Sequence, residues 1–350
     1  MAEPYILVIG ESLVDVMLAP DGVEEHPGGS PMNVAVGLAR LGHQVVLATW
    51  IGRDARGQVI KEHLANSGVR LLPTSEGAQH TPTATIIKDA NGNANYQFDI
   101  DWHMPALPAE LFDQPPKLVH TGSIGASKLP GAYFVLNAVR RFKPISAISF
   151  DPNVRPNIVD LEVANAYIYQ YTRLVDIFKA SREDMDVLYP EKGISMGAAW
   201  MGMGAAILSF TLGSSGAIGM NMATMQGSMG PGVDPESRDA FGALDKAGLQ
   251  VAGRLVDTVG AGDAFTAALI DGLDAMGLLG WGHRGDLSTM GPDELGRLQR
   301  YATTAAGICC TRAGADPPWR AELPPFPDEG AWSRLPTAGV SPSQGFFDTP

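Results

Sequence analysis

Asp257-Thr-Val-Gly-Ala-Gly-Asp263-Ala-Phe265 is the stretch around which the rest of this 350-residue chain can be organised. It places a lone carboxylate directly after Gly260-Ala261-Gly262, just where an apolar helical run, 264–273, begins. Small residues let the backbone turn tightly and let a bulky anion approach the amides. The first turn of a helix leaves its N–H groups without intrahelical partners, and the aligned peptide dipoles add roughly half a positive charge there. Gly260, Ala261 and Gly262 therefore read as a seat for a phosphate-like anion. Asp263 is an acid beside that seat, where a negative charge has no electrostatic reason to be unless it accepts a proton. The competing reading is structural: aspartate is among the best helix N-caps, and Asp263 would then only start a helix.

A second cluster, Gly28-Gly29-Ser30-Pro31-Met32-Asn33, is followed by Gly42 and Gly52. Ser30 before Pro31 reads as an N-cap and first helical position, with Val34, Leu38 and Leu41 as the apolar stripe behind them. Asn33 then stands near the start of a helix behind a diglycine, where its amide can both donate and accept, as a polyhydroxylated ligand requires. Asp15, within the strand-like run 13–18, can bind two neighbouring hydroxyls. Read singly, each of these residues is turn and capping chemistry as readily as a ligand site.

Strand-like runs at 6–10, 45–49, 118–120, 147–150, 174–179 and 206–211 alternate with helical patterns at 31–41, 57–66, 131–142, 182–188, 261–273 and 293–311. That alternation predicts an α/β fold with a mostly parallel central sheet covered by helices on both faces. One region breaks the rhythm: runs 83–88 and 95–100 flank Asp89-Ala-Asn-Gly-Asn93, a hairpin turn signal. With 13–18 they predict a small β-sheet projecting as a lid, which would exclude water from the site. Segment 193–233 lacks charged residues but is interrupted by glycines, so it predicts a buried helix, 194–203, and a strand, 205–211, rather than a membrane span.

Together the two glycine clusters resemble the paired signatures of the ribokinase-like (PfkB-type) sugar kinases, most of all the fructokinases. The order of elements follows that family from about residue 4 to 318. The resemblance implies one kinase domain over 1–318, a lid from roughly 12–30 and 81–105, and a Pro-rich tail over 319–350. It implies Asp263 as catalytic base, with Gly260, Ala261 and Gly262 as the anion hole for the transferring phosphate. Asp15, Gly28, Gly29 and Asn33, with Phe98 from the lid, would hold the sugar. Arg155, in Asp151-Pro-Asn-Val-Arg155-Pro at a strand's end, would face the phosphoryl path. Lys179, Ser181, Thr211, Gly213, Gly216 and Gly314 would lie at the ATP. Ser181 and Asp184 stand where the family shows an Asn-x-x-Glu motif that organises Mg²⁺ through water, with Glu183 as the competing ligand. Asp257 and Thr258 resemble a monovalent-cation site, suited to K⁺. The implied activity is ATP-dependent transfer to a primary hydroxyl of a neutral sugar, D-fructose first. The alternatives are 2-keto-3-deoxygluconate, whose carboxylate calls for more cation than Lys88 in the lid candidate, then ribose or a nucleoside stacking on Trp50, Phe98 or Trp102. A non-catalytic binding module is the reading from a different class.

Composition sets outer bounds. A hydrophobic content of 45% suffices for one large core, and a net charge of −13 with 25 Lys plus Arg argues against nucleic-acid and membrane partners. Cys309 and Cys310, adjacent and alone, make no disulfide framework and point to a reducing cytoplasm and a buried helix. The first residues show no signal-peptide pattern. Residues 226–240 and those beyond 317 read as poorly ordered inserts. An exposed lid sheet suggests a homodimer paired through it.

Overall fold

Strand β1 (Tyr5–Ile9) sets the pattern of the molecule: its apolar residues alternate between two cores. Ile6 and Val8 join one, with Val34, Leu38, Phe265, Leu269 and Tyr301; Leu7 and Ile9 join the other, with Phe150, Phe178, Trp200 and Phe210. A strand buried on both faces needs no polar residue on either, because successive side chains point to opposite sides. The computed structural model describes residues 4–19, 22–88, 94–221, 227–230 and 255–326.

Among the described residues the main sheet has nine strands, in the order β13-β12-β11-β10-β9-β8-β1-β4-β5. From one edge these are β5 (Val69–Leu71), β4 (Gln44–Ala48), β1, β8 (Leu118–Gly122), β9 (Ala147–Asp151), β10 (Ile177–Ser181) and β11 (Ile207–Thr211), all parallel. β12 (Ala217–Asn221) then runs antiparallel to β11, and β13 (Gly227–Gly230) antiparallel to β12. The C-terminal ends of β1, β8, β9, β10 and β11 thus share one rim, the place where open α/β sheets bind ligands. A second, four-stranded sheet, β3-β2-β6-β7, combines β2 (Leu13–Ala19), β3 (Gly22–Gly28), β6 (Thr83–Lys88) and β7 (Ala94–Asp99). This is the small sheet expected of the lid. Phe98, Leu13 and Ala84 from it close over Ile124 of the main body.

The differences from expectation are local. β3, Gly-Val-Glu-Glu-His-Pro-Gly, carries acids and a proline and was absent from the expected strands; it is an edge strand, where such residues are tolerated. β12 was also absent from that reading, as was the Leu161–Tyr171 helix, which Asp160 caps through hydrogen bonds to the amides of Glu162 and Val163. The run 194–203 divides into a 3₁₀ turn, Gly193–Met196, and a helix, Gly197–Met203. Of the expected insert 226–240, residues 227–230 form β13, and the remainder lies outside the described residues. Beyond 317 the chain still packs: Leu323 is buried and the Arg320 guanidinium donates to the Leu41 carbonyl and Asp271. The hairpin turn 89–93 lies outside the described residues, as does the tail from 327. Cys309 and Cys310 are buried at the end of the Pro292–Cys309 helix, as expected. No helix among the described residues is long and apolar enough to cross a membrane.

Candidate active site

The turn before Asp263 is glycine for steric reasons. Gly260 has φ 74, and a Cβ there would lie 2.5 Å from the Ala315 Cβ. A Cβ on Gly262 would lie 2.9 Å from the Lys179 Nζ. Gly260 is the N-cap of the Ala261–Ala275 helix, so Asp263 does not cap it. Its carboxylate instead reaches across to the Ser30–Arg40 helix. Oδ1 accepts from the Ser30 hydroxyl at 2.6 Å and Oδ2 from the Asn33 amide at 2.8 Å. Ser30 is likewise not the N-cap; that place belongs to Gly29, whose φ of 113 suits glycine alone. The two helices approach closely at Gly37, where a Cβ would lie 2.7 Å from that of Ala267.

Asp263 is 8% exposed. Burial pushes its pKa above the usual carboxylate range, and the Ser30 and Asn33 hydrogen bonds, with the charges of Lys179 and Arg155, pull it only part of the way back. Its direct partners are neutral, so it sits as a desolvated base. The amides of Gly262 and Asp263 meet no acceptor among the described residues, which leaves donors free at the helix start. The Asn33 Oδ1 is buried without a partner. A buried acceptor in that state favours a ligand that donates to it.

Several other residues named from the sequence lie near this rim. Asp15 lies against Gly28, where a Cβ would fall 2.2 Å from its Oδ2. Burial raises Asp15 to about 6, against the charges of His26 and Arg155. Arg155 is exposed, bonds to the Val154 carbonyl, and acts electrostatically on both Asp15 and Asp263. The nearby Asp151 pairs with Lys179: the pair is buried at 2.8 Å, and the single Thr266 hydroxyl proton is shared between Asp151 at 3.3 Å and the Gly262 carbonyl at 3.0 Å. Lys179, expected among the ATP contacts, is thus a buried counter-ion beneath the glycine turn.

At the nucleotide side, Thr211 ends β11, and Gly213 and Gly216 shape the next turn with φ of 57 and 91. A cleft of about 600 Å³ beside it is lined by Arg182, Asp186, Lys192, Leu212, Ser215 and Ile218. Ser181 and Asp184 form a capping box for the Arg182–Leu188 helix. The Asp184 carboxylate accepts from the Ser181 amide and hydroxyl and, through Oδ1, from the Val154 amide at 2.7 Å. It therefore fastens the Asp151–Arg155 loop, and direct metal ligation would break those bonds. Glu183 is exposed. Asp257 accepts from the amides of Val259 and Gly314, stapling two loops together, while Thr258 is exposed. No group of three or more His, Cys, Asp or Glu side chains among the described residues could hold a metal ion.

Sequence reasoning missed two residues. Ser30 looked like a cap; its spacing of three from Asn33 puts both on one helical face and was the available signal. Glu11, buried directly after β1, went unread although an acid at that rim is a signal in itself.

A parallel sheet with its own small covering sheet, and a desolvated carboxylate behind a glycine turn at the rim, define a sugar-kinase class of molecule. A family model described as pfkB family carbohydrate kinase matches residues 3–322, and the chain belongs to that family. It is 29% identical to a fructokinase from Klebsiella pneumoniae, across 89% of this chain and 94% of that protein. A fructokinase from Xylella fastidiosa with bound ATP superposes with a TM-score of 0.72 at 20% identity, across 91% of this chain and 95% of that one. A fructokinase from Vibrio cholerae O395 with fructose, ADP and calcium gives 0.66 at 22%, across 89% and 94%.

Proposed function

We propose that this sugar kinase transfers the γ-phosphoryl group of ATP to a primary hydroxyl of a neutral ketose, D-fructose. The observation that carries the reading is the state of Asp263: buried, bonded directly only to neutral donors, and adjacent to two amides without acceptors. A substrate hydroxyl donating to Asp263 would lose its proton there as its oxygen attacks phosphorus in line, and the amides and Arg155 would take up charge on the transferring group. The unpartnered Asn33 Oδ1 and Asp15 would accept from sugar hydroxyls. The turn with Gly213 and Gly216, with the cations of the neighbouring cleft, suits a nucleotide.

The Asp184 oxygens already hold the cap and the Val154 amide, so these residues fit Mg²⁺ held through water better than Asp184 bound to it directly. The Asp257 carboxylate likewise already serves two amides, so no step is assigned to K⁺. Fructose is favoured over acidic substrates by the relatives named fructokinase and by the scarcity of cations in the lid sequence. The outer lid strand β3 is exposed along most of its length, which supports a homodimer through the lid; a monomer by light scattering would end that idea.

The test is ADP release with ATP and Mg²⁺ against fructose, 2-keto-3-deoxygluconate, ribose and adenosine in parallel. Fructose should give a kcat/KM about tenfold or more above the others, a margin that unpaired buried polar groups can impose. Faster turnover of another acceptor would replace fructose, and no ADP with any acceptor would overturn the kinase reading.

A further inference from the structure

Glu11 is 2% exposed and contributes to none of the steps above. A carboxylate buried without a cationic partner is unfavourable, so its retention calls for a reason. Its partners are neutral: the Gly125 amide donates to Oε2 at 2.7 Å, and Ser123 adds a second hydrogen bond. The backbone packs closely around it. A Cβ on Gly125 would lie 2.7 Å from the Gly10 Cα and 3.0 Å from the Glu11 Oε2, and one on Gly29 would lie 2.7 Å from the Glu11 carbonyl oxygen.

Several parts of the site meet at this residue. The Gly29 side is the sugar turn that leads into Ser30 and Asn33. The Gly125 carbonyl accepts from the Trp102 indole at 2.9 Å, and Trp102 is 1% exposed on the segment returning from the lid strand β7. Ser123 accepts from the Asn153 amide at 3.2 Å, two residues before Arg155. Ile124, between Ser123 and Gly125, packs in the lid cluster with Phe98. The charged group acting on Glu11 is Asp263, of like sign; Asp263 in turn faces Lys179 and Arg155, and Asp151 and Cys309 feel its charge. Burial, more than this repulsion, lifts Glu11 to about 7.

We propose that Glu11 is a positioning residue for phosphoryl transfer: it anchors the lid's return segment and the sugar turn to the end of β1. The role rests on the kinase reading, but its first readout, sugar binding by calorimetry, does not need turnover. Glu11→Gln keeps an acceptor for the Gly125 amide, so sugar affinity and sugar KM should stay within about threefold of wild type. Glu11→Ala, which removes the anchor, should weaken sugar binding and raise the sugar KM about tenfold or more while the ATP KM stays within about twofold. An unchanged sugar KM in Glu11→Ala, or an equal loss in Glu11→Gln, overturns the anchoring role. Wild-type protein that binds a sugar but releases no ADP, with that binding weakened in Glu11→Ala and kept in Glu11→Gln, would instead count against the kinase reading alone.

Discussion

Asp263 and Asp271 share the Ala261–Ala275 helix, and both are almost closed off from solvent, yet they are in opposite electrostatic states. Burial pushes both upward. At Asp271 that push is outweighed by hydrogen bonds from His43 at 2.8 Å, the Arg320 guanidinium and the Tyr301 hydroxyl at 2.5 Å, which hold the carboxyl below its usual range. At Asp263 the direct donors are one hydroxyl and one amide, and burial wins. The chemical type of the partner, more than depth, separates a carboxylate that locks structure from one held ready to take a proton. Asp271 ties Arg320, and with it the end of the domain, to the helix; Asp263 faces a glycine turn with free amides.

The contrast breaks most sharply under isosteric change at 263. Asp263→Asn should lower kcat by on the order of a hundred- to ten-thousand-fold in a steady-state ADP assay, while ATP affinity by calorimetry and the unfolding midpoint stay near wild type. Near-normal turnover would put Asp263 in the same structural class as its neighbour. The reverse pattern is predicted at 271. Asp271→Ala should reduce stability in urea unfolding by about 2–4 kcal/mol, with Arg320 partly rescued by solvent, and leave kcat within a few-fold. The smallest effect sharpens the comparison through pH. Because Asp263 must be ionised to act and its folded pKa is raised, kcat/KM should fall on acidification above the usual carboxylate range near 4. Asp271→Asn should leave that limb in place; a limb that followed the 271 substitution would mean the two carboxylates are coupled.

Much of the fold was legible because its signals are short-range. A buried strand such as β1 is an unbroken apolar run, and the helix after Gly260 begins behind a residue whose conformation only glycine adopts readily. The strands that escaped notice, β3, β5, β12 and β13, are edge-like, brief or glycine-containing, and gain their place from neighbours rather than from their own pattern. At the site, the residues were legible but some of their bonds were not. The family resemblance places Lys179 at the nucleotide; in the structure its ammonium pairs with buried Asp151, which Thr266 also contacts. The resemblance gives Ser181 and Asp184 a magnesium-organising place; that the same two side chains also close a capping box was legible only in the structure.

From the chain alone came the glycine turn, the acid after it, the diglycine before Ser30 and the alternation that builds a parallel sheet. Each is a property of neighbouring residues, and backbone sterics and periodicity act at that range. Tertiary structure decided what Asp263 became. Its two donors lie more than 200 residues away in sequence, and whether a buried carboxylate meets hydroxyls or guanidinium groups is set by which helix packs against it.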